Sequence, residues 1–375
     1  MPDFRASHCT RYRYRYSECR RCADACPHEA IELSDEGASL VAQRCKHCAL
    51  CISACHTQAW SSGDFKPIDI LREAIKKPAF SLACEPAGCK ADATVPCLGA
   101  VDAVWLAYMA KRRLSVTLHG SDHCLQCVHG KTGAAQLRLN LDAVDRLFEA
   151  QQRGAASDAP EPQWALPRTV EDERSQPARS ATQASSAVGS ARRRLLGRLF
   201  RHHHDPAASL AAVRQPEHVP AKAIRAAAYM VSEPRELLQI VCKQKTDRPF
   251  TVALHEGLPL MQLSLQSGCT LCEACFRVCP TGAIQIEQNP HDWALTFQAD
   301  RCVACEVCLE VCQPRVLDAQ ASFDARPAQP AITLIKQAMQ RCARCDRHFV
   351  SPTPQKTCAI CSDDEYAFDA IFGAD

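Results

Sequence analysis

Cys269-Thr270-Leu271-Cys272-Glu273-Ala274-Cys275-Phe276-Arg277-Val278-Cys279-Pro280 decides the reading of this 375-residue chain. Three cysteines stand two residues apart, and a fourth follows after three more with proline behind it. Twenty-two residues later Cys302, Cys305, Cys308 and Cys312 repeat the spacing. A second copy lies near the N-terminus, with Cys19, Cys22, Cys26 and Pro27, then Cys45, Cys48, Cys51 and Cys55. Its missing first member is most simply Cys9, although nine residues, Thr10 to Glu18, stand where the pattern expects two. Cys55 is followed by His56 rather than proline, and Cys312 by Gln313.

A C-x2-C-x2-C loop wraps one face of a cubane iron–sulfur cluster, and a fourth cysteine held off by three residues reaches a neighbouring cluster. The chain thus resembles the bacterial two-cluster ferredoxin domain, twice over. The resemblance implies that Cys269, Cys272, Cys275 and Cys312 hold one [4Fe-4S] cluster and Cys302, Cys305, Cys308 and Cys279 its partner. It likewise implies a third site at Cys9, Cys19, Cys22 and Cys55 and a fourth at Cys45, Cys48, Cys51 and Cys26. The bland alternatives are structural zinc and disulfides. Zinc ribbons use separated C-x2-C pairs rather than triplets. Disulfides need an oxidising compartment, and no apolar leader opens the sequence. Ala30–Leu33 and Ala283–Ile286, just after the fourth cysteines, read as short half-buried strands.

Length allows two or three domains. A net charge of +2 implies no polyelectrolyte partner. Cysteine makes up about seven per cent of the chain, and its spacing points to metal. The longest apolar run, Leu98 to Ala110, is broken by Asp102 and too short for a bilayer. The expectation is a soluble, cytoplasmic protein made where thiols stay reduced.

The first dicluster domain is expected over 1–66. Between 67 and 152, Ile68–Ile75 reads as a helix and Ala79–Ala83 as a strand. Leu98–Lys111 reads as an amphipathic helix with Val101, Val104, Trp105 and Tyr108 on one side. Leu114–Leu118 then reads as a strand and Gly133–Gln152 as a helix. That order implies a small α/β unit with a parallel pair. Of its cysteines, Cys84, Cys89, Cys97, Cys124 and Cys127, Cys84 and Cys124 sit just past the C-terminal ends of the predicted strands, where open parallel sheets place their sites. Cys84, Cys97, Cys124 and Cys127 are the preferred set for a further cluster or a zinc ion. The alternative is unliganded buried thiols. In order and placement the unit resembles the iron–sulfur delta subunit of methyl-viologen-reducing hydrogenases, which passes electrons to heterodisulfide reductase.

Residues 153–220 collapse into Ala, Arg, Ser, Gln and Pro and read as a disordered linker. Within it, residues 192–201 are basic and amphipathic, as a peripheral membrane contact or a solvated transient helix would be. Over 221–330 a second dicluster domain is expected, with Ala221–Val241 helical and Leu260–Leu265 a strand. In 331–375, Ile332–Met339 reads as a helix. Cys342, Cys345, Cys358 and Cys361 form two knuckles of a tetrahedral sulfur site. Zinc is favoured there over rubredoxin-like iron, because rubredoxin's glycines and aromatics are mostly absent. Cys242 reads as a plain buried thiol. The fold class expected is α+β: two dicluster ferredoxin domains, a small α/β unit and a zinc-ribbon-like tail.

Several motifs are set aside. Gly130-Lys131-Thr132 lacks the upstream glycine of a phosphate loop, since Leu125 stands there. No G-x-G-x-x-G follows a strand, and no C-x2-C-H marks haem. Arg11-Tyr12-Arg13-Tyr14-Arg15-Tyr16 reads as an exposed strand that shields a cluster or docks an acidic redox partner, rather than a nucleic-acid binder. The function expected is electron relay between a catalytic redox subunit and an acceptor. The resemblance implies dehydrogenase, hydrogenase or heterodisulfide-reductase-like partners. The alternatives are a thiol–disulfide enzyme centred on Cys124 and Cys127, and a regulator that senses redox state or cluster supply.

Overall fold

The computed structural model describes residues 1–154, 164–165, 223–225, 229–244 and 249–364. Most of the stretch read as a linker, its basic segment 192–201 and residues 365–375 lie outside the described residues. The first two residues of that stretch instead end a helix and Trp164–Ala165 form a strand, which corrects the disordered reading there. No helix among the described residues is long and apolar enough to cross a membrane.

The same small framework appears in both cysteine-rich halves. In the first, Pro2–Phe4 pairs antiparallel with Trp60–Ser62, and Ile31–Ser34 with Gly37–Leu40. In the second, Leu263–Leu265 pairs with Leu317–Ala319, and Ile284–Gln288 with Asp292–Phe297. The short strands expected after Cys26 and Cys279 are therefore present. Asp292–Phe297 is buried along nearly its whole length, so it needs a partner on both edges. Ile332–Ala338 supplies the second one, antiparallel with a bulge between Leu295 and Thr296. This corrects the helix expected over Ile332–Met339. Its β-branched residues, Ile332, Thr333 and Ile335, fit a pleated surface better than a helix.

Between the halves lies a four-stranded parallel sheet in the order Ala93–Val95, Ala79–Cys84, Ser115–His119 and Trp164–Ala165. The helix Ala103–Lys111 begins later than expected, because Asp102 caps it by accepting from the amides of Val104 and Trp105. It is not amphipathic. Seven of its nine residues are buried, since Gly130–Gly154 and Glu233–Cys242 pack against it as well. Glu233–Cys242 starts where Ser232 and Pro234 dictate, so the helix expected from Ala221 is too long. Ser232, just before it, is extended, and Ile224 forms a bridge with Tyr14.

The largest apolar core among the described residues draws its members from Ala49 to Ala325. Phe80, Leu82, Trp105, Leu147 and Phe148 pack in one cluster with Leu238, Val241, Phe250, Leu258 and Phe323. Cys242 lies in that cluster, almost fully buried. A second core gathers Leu263, Val278, Ile284, Trp293 and Phe297, and Tyr14 from the far end of the sequence belongs to it.

Candidate metal centres

One backbone signature recurs at all four isolated cysteines. Three residues beyond Cys26, Cys55, Cys279 and Cys312 stand Glu29, Gln58, Gly282 and Arg315, each with positive φ. The left-handed residue reverses the chain so that the next amide faces back to sulfur. Ala30 N donates to Cys26 Sγ at 3.3 Å and Ala59 N to Cys55 Sγ at 3.3 Å. The triplet loops have their own signature. His47 and Ala49, Leu271 and Glu273, and Ala304 and Glu306 flank the middle cysteine of their loops with positive φ. Non-glycine residues hold this conformation only where the surroundings impose it. Alternating hands turn successive amides to one side, making a concavity that suits an anionic group. The loop of Cys19 and Cys22 lacks this pattern, because the stretch before it is rebuilt.

That stretch is the Thr10–Glu18 insertion, and it is not an exposed strand. Thr10–Arg13 is a helical turn. Arg11 donates to Ser17 O at 2.7 Å and to Ser34 O at 3.2 Å, and Ser17 Oγ accepts from the amide of Cys19. Arg13 and Tyr14 are 1 % and 4 % exposed. Sequence alternation suggested two faces in water, but the Arg13 guanidinium is spent on backbone carbonyls, including those of Ser7 and Cys279. No local pattern reveals that partner, 266 residues away.

Mutual influence among the thiols reports which sulfurs lie near one another. Burial pushes Cys22 up to about 12, and Cys55, Cys19 and Cys9 add to it. Cys9 itself rises to about 11 by burial, with smaller contributions from Cys55 and Cys19. Burial first, then Cys48, Cys22, Cys26 and Cys45, raise Cys51. Cys275 is raised by burial and then by Cys272, Cys312 and Cys269. Cys308 is raised by burial and then by Cys305, Cys302, Cys279 and Cys275. These influences put Cys9 near Cys19 and Cys55 despite the insertion, and they also run from Cys22 to Cys51 and from Cys275 to Cys308. Such thiols are poor anions alone, a condition that a bound cation reverses. Sulfur-only donors, inward amides and short loops fit iron–sulfur clusters.

Residues 17–59 and 268–316 both match the 4Fe-4S dicluster domain. The likeness covers these two segments, about a quarter of the chain, and is to a domain that carries iron–sulfur clusters. The first match opens at residue 17, near the end of the insertion, and so leaves Cys9 outside it. A search of the curated proteins gives no match.

Outside the dicluster segments, Cys84, Cys97, Cys124 and Cys127 line one pocket at the C-terminal ends of the parallel strands. Cys89 does not join them; it is exposed, its thiol turned toward Ala87 O at 3.8 Å. Glycines make room for the sulfurs. A Cβ on Gly133 would stand 2.9 Å from Cys97 Sγ, and one on Gly120, where φ is +96°, 2.9 Å from Cys84 Sγ. Burial pushes Cys97 up to about 12, helped by Cys48, Cys124 and Cys84. This pocket therefore adjoins the second dicluster group. Two histidines missed in the sequence mark the seam: His28 and His129 ring nitrogens are 3.0 Å apart and lie close to Cys48. His28 follows the Cys26-Pro27 pair and His129 follows Cys127, a proximity that no local spacing encodes.

In the tail, the sulfurs of Cys342, Cys345, Cys358 and Cys361 all lie within 4.8 Å of one another. Gln340–Arg341 and His348–Phe349 form the hairpin that brings the first pair round. Cys358 N donates to Cys342 Sγ at 3.3 Å, and amides of Cys345 and Cys358 hold the Cys342 thiol down to about 6. This group has the donor set of a tetrahedral metal site.

Proposed function

We propose that the chain relays single electrons through four [4Fe-4S] clusters between a redox enzyme subunit and an acceptor. The two matches to a 4Fe-4S dicluster domain, with the left-handed residues that shape the cysteine loops, carry this reading. The clusters supply one-electron reduction and oxidation when bound. The chain's own residues hold and tune them. Cys9, Cys19, Cys22 and Cys55 would ligate one, Cys26, Cys45, Cys48 and Cys51 the next. Cys279, Cys302, Cys305 and Cys308 would ligate a third, and Cys269, Cys272, Cys275 and Cys312 the fourth. Amides donated to Cys26, Cys55 and Cys302 stabilise negative charge on sulfur and raise the potential.

The pocket of Cys84, Cys97, Cys124 and Cys127 is assigned a further metal centre, and the tail a structural zinc ion. A thiol–disulfide enzyme at Cys124 and Cys127 is disfavoured, because burial raises the Cys124 thiol whereas an attacking thiol needs a lowered one. The partners are redox proteins, met in a compartment that keeps thiols reduced. Iron, sulfide and zinc analysis of anaerobically purified protein, with EPR after dithionite reduction, tests the assignment. About sixteen irons with coupled cubane signals is the expected result. Iron near eight, or no cubane signal, overturns it.

A further inference from the structure

The two dicluster halves meet through the Thr10–Glu18 insertion. Tyr14 is buried in the core of the C-terminal half, in one cluster with Leu263, Val278 and Trp293. Arg13 Nη1 donates to Cys279 O at 3.4 Å. The amide of Arg225 donates to Arg13 O at 2.8 Å, and the amide of Arg15 to Ala223 O at 3.1 Å. Arg225 then closes the far side, donating to both carboxylate oxygens of Glu36 at 2.6 and 2.7 Å, with its guanidinium 4.4 Å from the Tyr12 ring centroid. Beyond the insertion, Arg21 donates to Glu256 O at 3.0 Å and lies 3.9 Å from the Glu306 carboxylate, in the middle of the facing triplet. Arg21 neighbours Cys22 and Glu306 neighbours Cys305, so this ion pair joins the two cysteine loops.

We propose that this insertion is a clamp that holds the ligand set of Cys9, Cys19, Cys22 and Cys55 against that of Cys279, Cys302, Cys305 and Cys308, making the two dicluster pairs one continuous electron path. The inference rests on the cluster assignment above and adds the crossing between halves. The step is a one-electron exchange: one cubane is oxidised as the other is reduced, and no bond or proton is exchanged. Arg13 and Tyr14 are positioning residues in it.

The full-length, anaerobically reconstituted protein tests the crossing by EPR. In the fully reduced parent, the spectrum is expected to show an interaction between the pairs beyond the coupling within each. Cys305→Ser removes the facing cluster on one side, and Cys19→Ser removes it on the other. Each change should abolish the inter-half interaction while the signals of the other half persist, and iron should fall by the content of one cluster. If either variant loses that iron and leaves the other half's line shape and relaxation the same as in the parent, the crossing is refuted and the relay reading stands. If the parent carries iron for only one pair, the relay reading fails and the crossing with it. Should one variant fail to fold, the reciprocal variant makes the same comparison from the opposite side.

Discussion

Replacing Tyr14 by alanine should loosen the joint between the halves, and the structure fixes the scale of the loss. The side chain is 4 % exposed and sits in the core of the opposite half. A buried tyrosine withdraws about 150–250 Å² from water, which at about 25 cal/mol per Å² is worth roughly 4–6 kcal/mol. A compact unfolded chain and partial relaxation of the site reduce this, and truncations of buried aromatics cost about 3–5 kcal/mol. With a urea dependence of about 3 kcal/mol per molar, the midpoint should fall by about 1–1.7 M. The assay is anaerobic urea titration of the reconstituted protein, followed by cluster absorbance and tryptophan fluorescence. Tyr14→Phe keeps the ring and should cost no more than about 1.5 kcal/mol. A midpoint for Tyr14→Ala indistinguishable from the parent's would refute the clamp, because a side chain that closes a core cannot be removed without cost.

Four further outcomes follow from the geometry. Gly133→Ala should expel metal from the pocket of Cys84, Cys97, Cys124 and Cys127 while the dicluster EPR signals persist, since its Cβ would stand 2.9 Å from Cys97 Sγ; metal content compared with the parent checks this. Asp102 is pushed up to about 6 by burial, so between pH 4 and 6 the folded state holds more protons than the unfolded state and stability falls as pH rises through that window. Asp102→Asn keeps a cap without the charge and should gain on the parent from pH 5 to 7, by about 3 kcal/mol at most and nearer ~1 because the residue keeps solvent contact; melting at both pH values reads it. Anaerobic alkylation of the native protein should label exposed Cys89 early and spare Cys242, which is 1 % exposed and raised to about 12 by burial; peptide mass analysis gives the order. Chelation should make Cys342, Cys345, Cys358 and Cys361 alkylatable together, and Cys345→Ser should release the tail's metal without changing the iron count.

The triplets were legible because cluster ligation is written locally, three of the four loops holding their sulfurs within seven residues. The parallel pair at Ala79–Cys84 and Ser115–His119 was legible for a similar reason: short apolar runs with turn signals at both ends. What failed were elements whose state depends on remote partners. Ile332–Ala338 became a strand because the buried Asp292–Phe297 strand had an open edge. The alternating Arg11–Tyr16 segment looked solvent-facing until Cys279 O and the C-terminal core took up Arg13 and Tyr14. Ser232 and Pro234 did signal a helix start, and an expected helix from Ala221 overran that signal. Cys84, Cys97, Cys124 and Cys127 share a pocket by tertiary placement, and the approach of His28 to His129 had no trace in spacing at all.

The large core that joins Phe80, Trp105 and Phe148 to Leu238, Phe250 and Phe323 gives covalent continuity a smaller role than one chain suggests. Its members come from both sides of residues 166–222, as do the partners in the Arg13–Arg225 and Tyr14–Ile224 contacts. Two polypeptides, 1–165 and 218–375, expressed together should therefore find each other and copurify as a stoichiometric pair. Peptide connectivity then mainly keeps the two pieces equal in number and near each other during synthesis. The protein is in this sense a heterodimer whose subunits happen to be translated as one.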